Sequence, residues 1–164
     1  MTKNETVFSK DLEKGNLTVV RAFDAPLEQV WKAWTTGGIL DQWWAPKPYK
    51  AETKTMDFRE GGRWLYCMVG PTGDRHWCRV DYKTIEPLRS ITDKAMFCDE
   101  EGKENPDLPV MNWNKQFKRT GNATTVTIDI TFDRVADMEA ILKMGFQEGF
   151  TMGLGNLDEY LGSR

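Results

Sequence analysis

Three side chains in the middle of the chain could take part in proton transfer. His76 is the only histidine among the 164 residues, and Tyr82 and Asp93 follow it along the chain. A carboxylate within hydrogen-bond reach of an imidazole or a phenol is a common arrangement for general acid–base catalysis, so Asp93 with His76 or Tyr82 would suit a cyclase or a hydrolase. A lone histidine beside a turn is more typical of the surface, and the sequence shows no contact between the three residues. This catalytic pair is therefore the alternative to a function in binding alone.

Other kinds of site chemistry lack the residues or the spacing that they require. Cys67, Cys78 and Cys98 are odd in number and far apart, which matches neither a disulfide framework nor the paired ligands of a zinc site. GLGNLD at residues 153–158 superficially matches a dinucleotide-binding fingerprint, but no strand precedes it to shape a phosphate-binding turn. We therefore expect reduced thiols, no metal ion and no fixed cofactor.

Composition narrows the class of protein and its partners. The net charge is -3 and the basic residues are scattered, so we expect no nucleic acid partner. No apolar run approaches the roughly 18 residues of a membrane span, and the N-terminus lacks the apolar centre of a secretory signal, so we expect a cytoplasmic protein without membrane contact. Residues 1–164 are predicted to form a single domain, in which residues 1–15 are a flexible or edge segment.

The order of predicted elements is that of an α+β domain. LTVVRAF (17–23) is typical of a strand, whereas DAPLEQVWKAWT (24–35) and GGILDQWWAP (37–46) have the spacing of two short helices. Residues 49–132 alternate polar and apolar side chains between five turn signals, which predicts six further strands in antiparallel hairpins. A long helix over residues 135–161 ends the chain. The prediction is thus seven strands, with two short helices after the first.

The last predicted helix carries four glycines, each of which costs about 1 kcal/mol relative to alanine. Gly145, Gly149 and Gly153 fall on one flank of this helix, together with Met152 and Asn156. Two interpretations remain open. The missing side chains allow the helix backbone to pack closely against a neighbour, or they border a cavity that the flexible methionine and the polar amide help to enclose.

Several segments together resemble the helix-grip fold of the START-like (SRPBCC), birch-pollen-allergen and polyketide-cyclase proteins. They are similar above all to the bacterial branch related to the activator of the ninety-kilodalton heat-shock protein's ATPase. The segments that carry the resemblance are DAPLEQVWKAWT with WWAP, MDFREGGRW with MVGPTG, IEPLRSI, FCDEEGKENPDLP and EAILKMGFQEGFTMGLGNLDEYL.

This resemblance implies a seven-stranded antiparallel sheet curved around the long C-terminal helix, with an internal pocket between them. In relatives the pocket takes hydrophobic or amphipathic small molecules, and only some branches catalyse a reaction in it. A role as a co-chaperone-like, stress-related module is a further implication of the resemblance.

The alternation of each strand predicts which side chains face the pocket, with an error of a whole face if a register slips by one residue. His76 is placed inward with its alternating neighbours because the opposite set is charged. Asp93 is placed inward because the other face of its strand carries a lysine, which is harder to bury. Lys115 shares the inward parity of Met111, Trp113 and Phe117, and we expect it to extend outward at an edge.

We therefore expect a protein that binds a hydrophobic or amphipathic small molecule between its sheet and its C-terminal helix. The predicted ligand-binding residues are Trp64, Tyr66, Met68, Cys78, Val80, Tyr82, Asp93, Phe97, Trp113, Gly145, Gly149, Met152, Gly153 and Asn156. Trp43 and Trp44 support another hypothesis. If they are exposed, they would dock a partner or a second copy of the chain as a homodimer.

Overall fold

Eight strands and four helices occupy residues 6–162, the part of the chain that the computed structural model describes. In chain order they are β1 (Val7–Asp11), β2 (Asn16–Phe23), α1 (Leu27–Thr35), α2 (Gly37–Trp43), β3 (Lys50–Met56), β4 (Arg63–Val69), β5 (Arg75–Glu86), β6 (Ser90–Cys98), β7 (Met111–Thr120), β8 (Ala123–Thr131), α3 (Val135–Lys143) and α4 (Phe146–Gly162). The predicted α+β helix-grip architecture is confirmed, with a curved antiparallel sheet and C-terminal helices.

The strands form one antiparallel sheet in the order β1-β2-β8-β7-β6-β5-β4-β3. Strands β3 to β8 follow one another as a meander, and α1 with α2 carries the chain from β2 to the opposite edge. The predicted count of seven strands is wrong by one, because β1 pairs with β2 at the edge. An edge strand buries little, so its sequence shows little alternation. Residues 1–5 of the segment predicted as flexible or edge lie outside the described residues.

The densest part of the core lies where β2 and β8 face the helices. Apolar side chains alternate along both strands, as the sequence predicts for a sheet with one buried face. Six of these side chains are fully buried: Leu17, Val19, Phe23, Val126, Ile128 and Ile130. They belong to one hydrophobic cluster with Met138 of α3 and with Leu154 and Leu157 of α4.

The long C-terminal helix predicted over residues 135–161 is interrupted. Helix α3 ends at Lys143, and α4 begins at Phe146. Gly145 has a φ of +88°, a backbone conformation that glycine adopts without the strain other residues would suffer. Its N–H bonds to the Leu142 carbonyl oxygen at 3.1 Å, which closes the last turn of α3. We call residues Met144 and Gly145 the elbow.

Helix α4 lies directly against the backbone that follows α2. A Cβ added at Gly153 would stand 3.1 Å from the Trp44 carbonyl oxygen, so this glycine is required for close packing. One turn onward, the buried Asn156 donates from Nδ2 to the carbonyl oxygens of Trp43 and Ala45, at 3.3 and 3.1 Å. These contacts satisfy two main-chain acceptors inside the protein. We call them the α4 anchor.

An ion pair ties the far end of α4 to the sheet. Arg21 faces inward from β2 and is buried, and its guanidinium bonds the carboxylate of Asp158. The same guanidinium donates to Thr6 Oγ1 at 2.8 Å, beside the start of β1. Burial lowers the pKa of Arg21, although its ordinary value is so high that the group stays charged. The pair therefore joins β2, α4 and the N-terminal segment.

Two alanine substitutions in α4 should distinguish the packing glycine from an unconstrained one. We expect Gly155→Ala to raise the free energy of unfolding by up to about 1 kcal/mol, because an added Cβ meets open space and alanine favours the helix. Gly153→Ala should lower it by about 1 kcal/mol, because overpacking against the Trp44 carbonyl outweighs the same helical gain. Urea unfolding measures both. Equal stabilisation by the two substitutions would show that the α4 anchor is not tightly packed.

Candidate functional site

A cavity of about 240 Å³ lies between the sheet and the elbow. Strands β4 to β7 supply most of its floor, and α3, the elbow and α4 supply its roof. The side chains from the sheet are Tyr66, Met68, Cys78, Val80, Asp93, Ala95, Phe97, Met111, Trp113 and Lys115. The remaining wall residues are Trp44 and Pro46 after α2, and Ile141, Met144, Gly145, Phe146, Gly149 and Phe150.

Four rings form one side of the cavity, which we call the aromatic wall: Trp44, Trp113, Phe146 and Phe150. The rings of Phe146 and Phe150 stack with centroids 5.4 Å apart. Trp113 meets Phe150 edge to face at 5.4 Å, and Trp44 meets Phe150 at 5.9 Å. Such offset and edge-to-face contacts are the favoured geometries of aromatic pairs, so the wall is a stable surface with ring faces and edges.

The glycine flank of the last helices serves two different purposes. Gly145 and Gly149 border the cavity, and a Cβ added at Gly149 would make only an ordinary contact with Pro46 Cγ at 3.6 Å. Gly153 instead belongs to the α4 anchor. Close packing therefore describes Gly153, whereas Gly145 and Gly149 border a cavity that Met152 and Asn156 do not help to enclose.

Asp93 and Lys115 form an ion pair in the cavity wall, which we call the polar pair. Lys115 Nζ donates to Asp93 Oδ2 at 2.8 Å, and the two side chains are only 7% and 1% exposed. The expectation that Lys115 extends outward is wrong. In β7 it alternates with Met111, Trp113 and Phe117 on the buried face, and the carboxylate across the strand pair provides its counter-charge.

The surroundings of the polar pair influence both charges. Burial raises the pKa of the Asp93 carboxyl, and the adjacent Lys115 ammonium opposes that rise. The ammonium also lies 5.4 Å from the ring centroid of Trp113 and 5.9 Å from that of Trp34, within cation–π range. The pair is thus held between apolar and aromatic groups, where an unpaired charge would be costly.

A second polar group on the wall, the Tyr66 hydroxyl, is hydrogen-bonded to neighbouring side chains. Trp44 Nε1 donates to the Tyr66 hydroxyl at 2.8 Å, and that hydroxyl also interacts with the Cys78 thiol. Burial raises the pKa of Tyr66 well above its ordinary value, and it raises the pKa of Cys78 to about 12. Both groups are therefore neutral near pH 7, and Cys78 is a poor nucleophile.

Five residues predicted to bind a ligand lie away from the cavity. Trp64 supports the wall from outside, with its ring stacked on Tyr66 at 4.1 Å. Tyr82 packs edge to face on Phe58 at 5.0 Å. Gly153 and Asn156 form the α4 anchor. Met152 is 46% exposed on the outer side of α4. The other predicted residues, Tyr66, Met68, Cys78, Val80, Asp93, Phe97, Trp113, Gly145 and Gly149, lie on the cavity wall.

The structure does not bring His76 and Asp93 together. The His76 side chain is 57% exposed, so its predicted inward placement is wrong, and Nε2 lies 3.0 Å from Asp74 Oδ2 beside the β4–β5 turn. Hydrogen bonds from Tyr49 and His76 lower the pKa of Asp74. Asp93 pairs with Tyr82, six residues further along β5, a separation of roughly 20 Å from His76.

Tyr82 and Asp93 are cross-strand neighbours, but this does not make them a catalytic dyad. Burial, and to a lesser degree the nearby carboxylate, raises the pKa of Tyr82. The hydroxyl is therefore neutral near pH 7, and Tyr82 lies outside the cavity wall. The carboxylate of Asp93 is instead engaged by Lys115.

The tryptophan pair after α2 is not an exposed patch. Trp43 is 1% exposed, and its Nε1 donates to the Ala33 carbonyl oxygen at 3.0 Å. Trp44 is partly buried and belongs to the aromatic wall. The exposed surface that docking through these two residues requires is therefore missing, because one ring fills the core and the other lines the cavity.

Sequence reasoning missed much of the roof. Phe146 and Phe150 are absent from the predicted ligand-binding residues, because an unbroken helix over residues 135–161 places them on a different flank from the glycines. The elbow turns the start of α4 so that both rings join the cavity wall. Their position beside Gly145 and Gly149 was the available signal.

Over residues 6–162, no three His, Cys, Asp or Glu side chains cluster in a way that could hold a metal ion, and no helix has the length and hydropathy of a membrane span.

Comparisons with known proteins agree with this geometry. Residues 24–162 match the family model described as Activator of Hsp90 ATPase homolog 1-like protein. A solution NMR structure of an Arthrobacter aurescens protein superposes with a TM-score of 0.91 at 29% identity, covering 96% of this chain and 92% of that one. A crystal structure of a Mycobacterium smegmatis protein gives 0.88 at 26% identity, covering 96% and 97%. A search of curated proteins gave no match.

A double-mutant cycle should measure the coupling within the polar pair. We expect Asp93→Asn and Lys115→Met each to lower the free energy of unfolding by about 3 to 5 kcal/mol, because each leaves the other charge buried without its partner. The double variant should lose much less than the sum of the two. Urea unfolding at low temperature provides the four values. Additive losses would show that the two charges do not interact in the folded protein.

Proposed function

The chain belongs to the Activator of Hsp90 ATPase homolog 1-like family, and on that premise we propose that it binds a small hydrophobic or amphipathic molecule in the cavity beneath the elbow. The observation that carries the proposal is the cavity itself, with an aromatic wall on one side and two glycines in its roof. Cavities with mostly apolar linings and a few polar groups are the usual form of small-molecule sites.

The volume of the cavity limits the size of the guest. An apolar cavity of about 150 Å³ accepts benzene, and the present cavity of about 240 Å³ has room for a substituted or a bicyclic aromatic ring. Typical sites for drug-sized ligands run from about 300 to 1,000 Å³. We therefore propose a compact guest and not a long-chain lipid or a sterol.

The expected affinity follows from the area that such a guest would bury. About 200 Å² of apolar surface contributes roughly 5 kcal/mol at about 25 cal/mol per Å². Edge-to-face contacts with the aromatic wall would add about 0.5 to 1.5 kcal/mol each, and the loss of free motion on binding opposes both. With one ring contact, the favourable terms alone would correspond to dissociation constants of roughly 10 to 100 µM, and the loss of free motion moves the expected value toward the millimolar range.

Catalysis is not part of the proposal. The candidates His76, Tyr82 and Asp93 do not meet at the cavity, and the one of them on its wall, Asp93, is paired with Lys115. Binding without turnover is the function that the geometry supports.

Filling the cavity from its roof should abolish binding. We expect Gly149→Leu to weaken the binding of 1,4-dimethylbenzene at least tenfold, because the new side chain starts at the cavity wall and competes for its volume. Ligand-detected NMR, supported by the fluorescence of the wall tryptophans, measures the affinity.

Gly155→Leu is the matched control for this experiment. It places the same side chain on the same helix, where an added Cβ meets open space away from the cavity, so binding should be unchanged. Both variants need native-like circular dichroism. Unaltered binding to a folded Gly149→Leu variant, or no binding to the original protein, would refute the proposed function.

A further inference from the structure

We infer that the guest is an uncharged aromatic alcohol of the phenol class, whose hydroxyl hydrogen-bonds both Asp93 and Lys115 from the cavity side while its ring packs on the aromatic wall. The inference rests on the proposed function and names its ligand class. It is carried by the position of the polar pair, since both members belong to the wall of an otherwise apolar cavity.

The polar pair has hydrogen-bonding capacity beyond its own contact. An ammonium has three N–H donors, and a carboxylate has about four lone-pair positions. Within residues 6–162, Lys115 Nζ makes one hydrogen bond, to Asp93 Oδ2, and aromatic rings occupy part of its remaining surroundings. A buried ion pair offsets its desolvation only when further hydrogen bonds reach it.

A hydroxyl matches both members of the polar pair at once. Its O–H can donate to the Asp93 carboxylate, and its oxygen can accept from the Lys115 ammonium. An ether or a ketone can only accept hydrogen bonds. It would accept one from Lys115 but would have no donor for the Asp93 carboxylate. The Tyr66 hydroxyl does not compete for this role, because it is engaged by Trp44 Nε1 and lies beside Cys78.

Charge argues for an uncharged guest. The polar pair is neutral as a unit, so an entering carboxylate would be attracted by Lys115 and repelled by Asp93 at similar distances. An entering ammonium would be attracted by Asp93 and repelled by Lys115. In either case the two effects largely cancel, and the cost of removing the guest's charge from water remains. A phenol has a pKa of about 10 and enters neutral near pH 7.

The rest of the cavity argues for an aromatic ring. Lys115 Nζ lies 5.4 Å from the ring centroid of Trp113, which itself belongs to the aromatic wall. A hydroxyl placed at the polar pair therefore leaves its ring next to Trp113 and Phe150, where edge-to-face packing is available.

Three probes of similar size test the inference on the unaltered protein. They are 4-methylphenol, 1,4-dimethylbenzene and 4-methylbenzoate, titrated at pH 7 by calorimetry and ligand-detected NMR. We expect 4-methylphenol to bind at least as tightly as 1,4-dimethylbenzene although water solvates it better, and 4-methylbenzoate to bind at least tenfold more weakly than 4-methylphenol. Tenfold weaker binding of the phenol than of the hydrocarbon would overturn the inference, and so would preference for the benzoate.

A variant without the polar pair gives the second test. Asp93→Leu with Lys115→Met keeps the volume and removes both charges, a change that folded proteins often tolerate. Relative to 1,4-dimethylbenzene, 4-methylphenol should lose at least tenfold in affinity, and an unchanged ratio would overturn the inference. If the variant does not fold, the three-probe ranking decides alone. Failure of both the hydrocarbon and the phenol to bind the unaltered protein refutes the proposed function instead, so the two failures are distinguishable.

Discussion

The close contact between α4 and the backbone after α2 determines the spacing of the inner layer. Gly153 removes the side chain that would hold the helix away from the Trp44 carbonyl, and Asn156 bonds the carbonyl oxygens on either side of it. Main-chain groups cannot rearrange as freely as side chains. The distance between α4 and the backbone after α2 is therefore fixed at this point. Toward its start the helix meets the elbow, where Gly145 redirects the chain and the roof separates from the sheet. The cavity lies in that separation.

The polar pair is an unusual element of so apolar a wall. Replacing a buried ion pair by apolar residues of similar size often leaves stability unchanged or improves it. Stability alone therefore gives little reason for a carboxylate and an ammonium in the wall of a largely apolar cavity. A directional contact with a guest gives a better one, because apolar packing cannot distinguish a ring that carries a hydroxyl from one that carries a methyl group.

Membership of the family describes the architecture more than the chemistry. The same helix-grip frame can hold many different cavities, since the side chains on its inner face vary without altering the register. In this chain the cavity is shaped by features of particular residues: the break at Gly145, the ring of Trp44 turned onto the wall, and the charge of Lys115 turned inward. These features, and not the fold itself, support the choice of a compact aromatic guest.

The sequence by itself determined the architecture and much of the cavity floor. Period-two alternation fixes which side chains share a face, so Tyr66, Cys78, Val80, Asp93 and Trp113 could be placed inward before any coordinates. The resemblance across the chain indicated the helix-grip order. Alternation also contained the information that Lys115 faces inward. It was discounted because a lysine alone is costly to bury, and the compensating carboxylate is 22 residues away in the chain.

Only the tertiary structure decided what depends on distance between separate elements. Whether a glycine borders space or contacts a backbone depends on what lies opposite, which is why Gly149 and Gly153 differ although both have helical spacing. The local pattern predicts that His76 faces inward, but the residue lies at the start of β5 beside the β4–β5 turn, where its side chain is exposed to water. Helical periodicity likewise favoured an unbroken last helix, whereas the backbone turns at Gly145. Side-chain type and spacing determine which residues share a face of a helix or strand. Packing between elements determines whether that face contacts a neighbour, lines a cavity or is exposed to solvent.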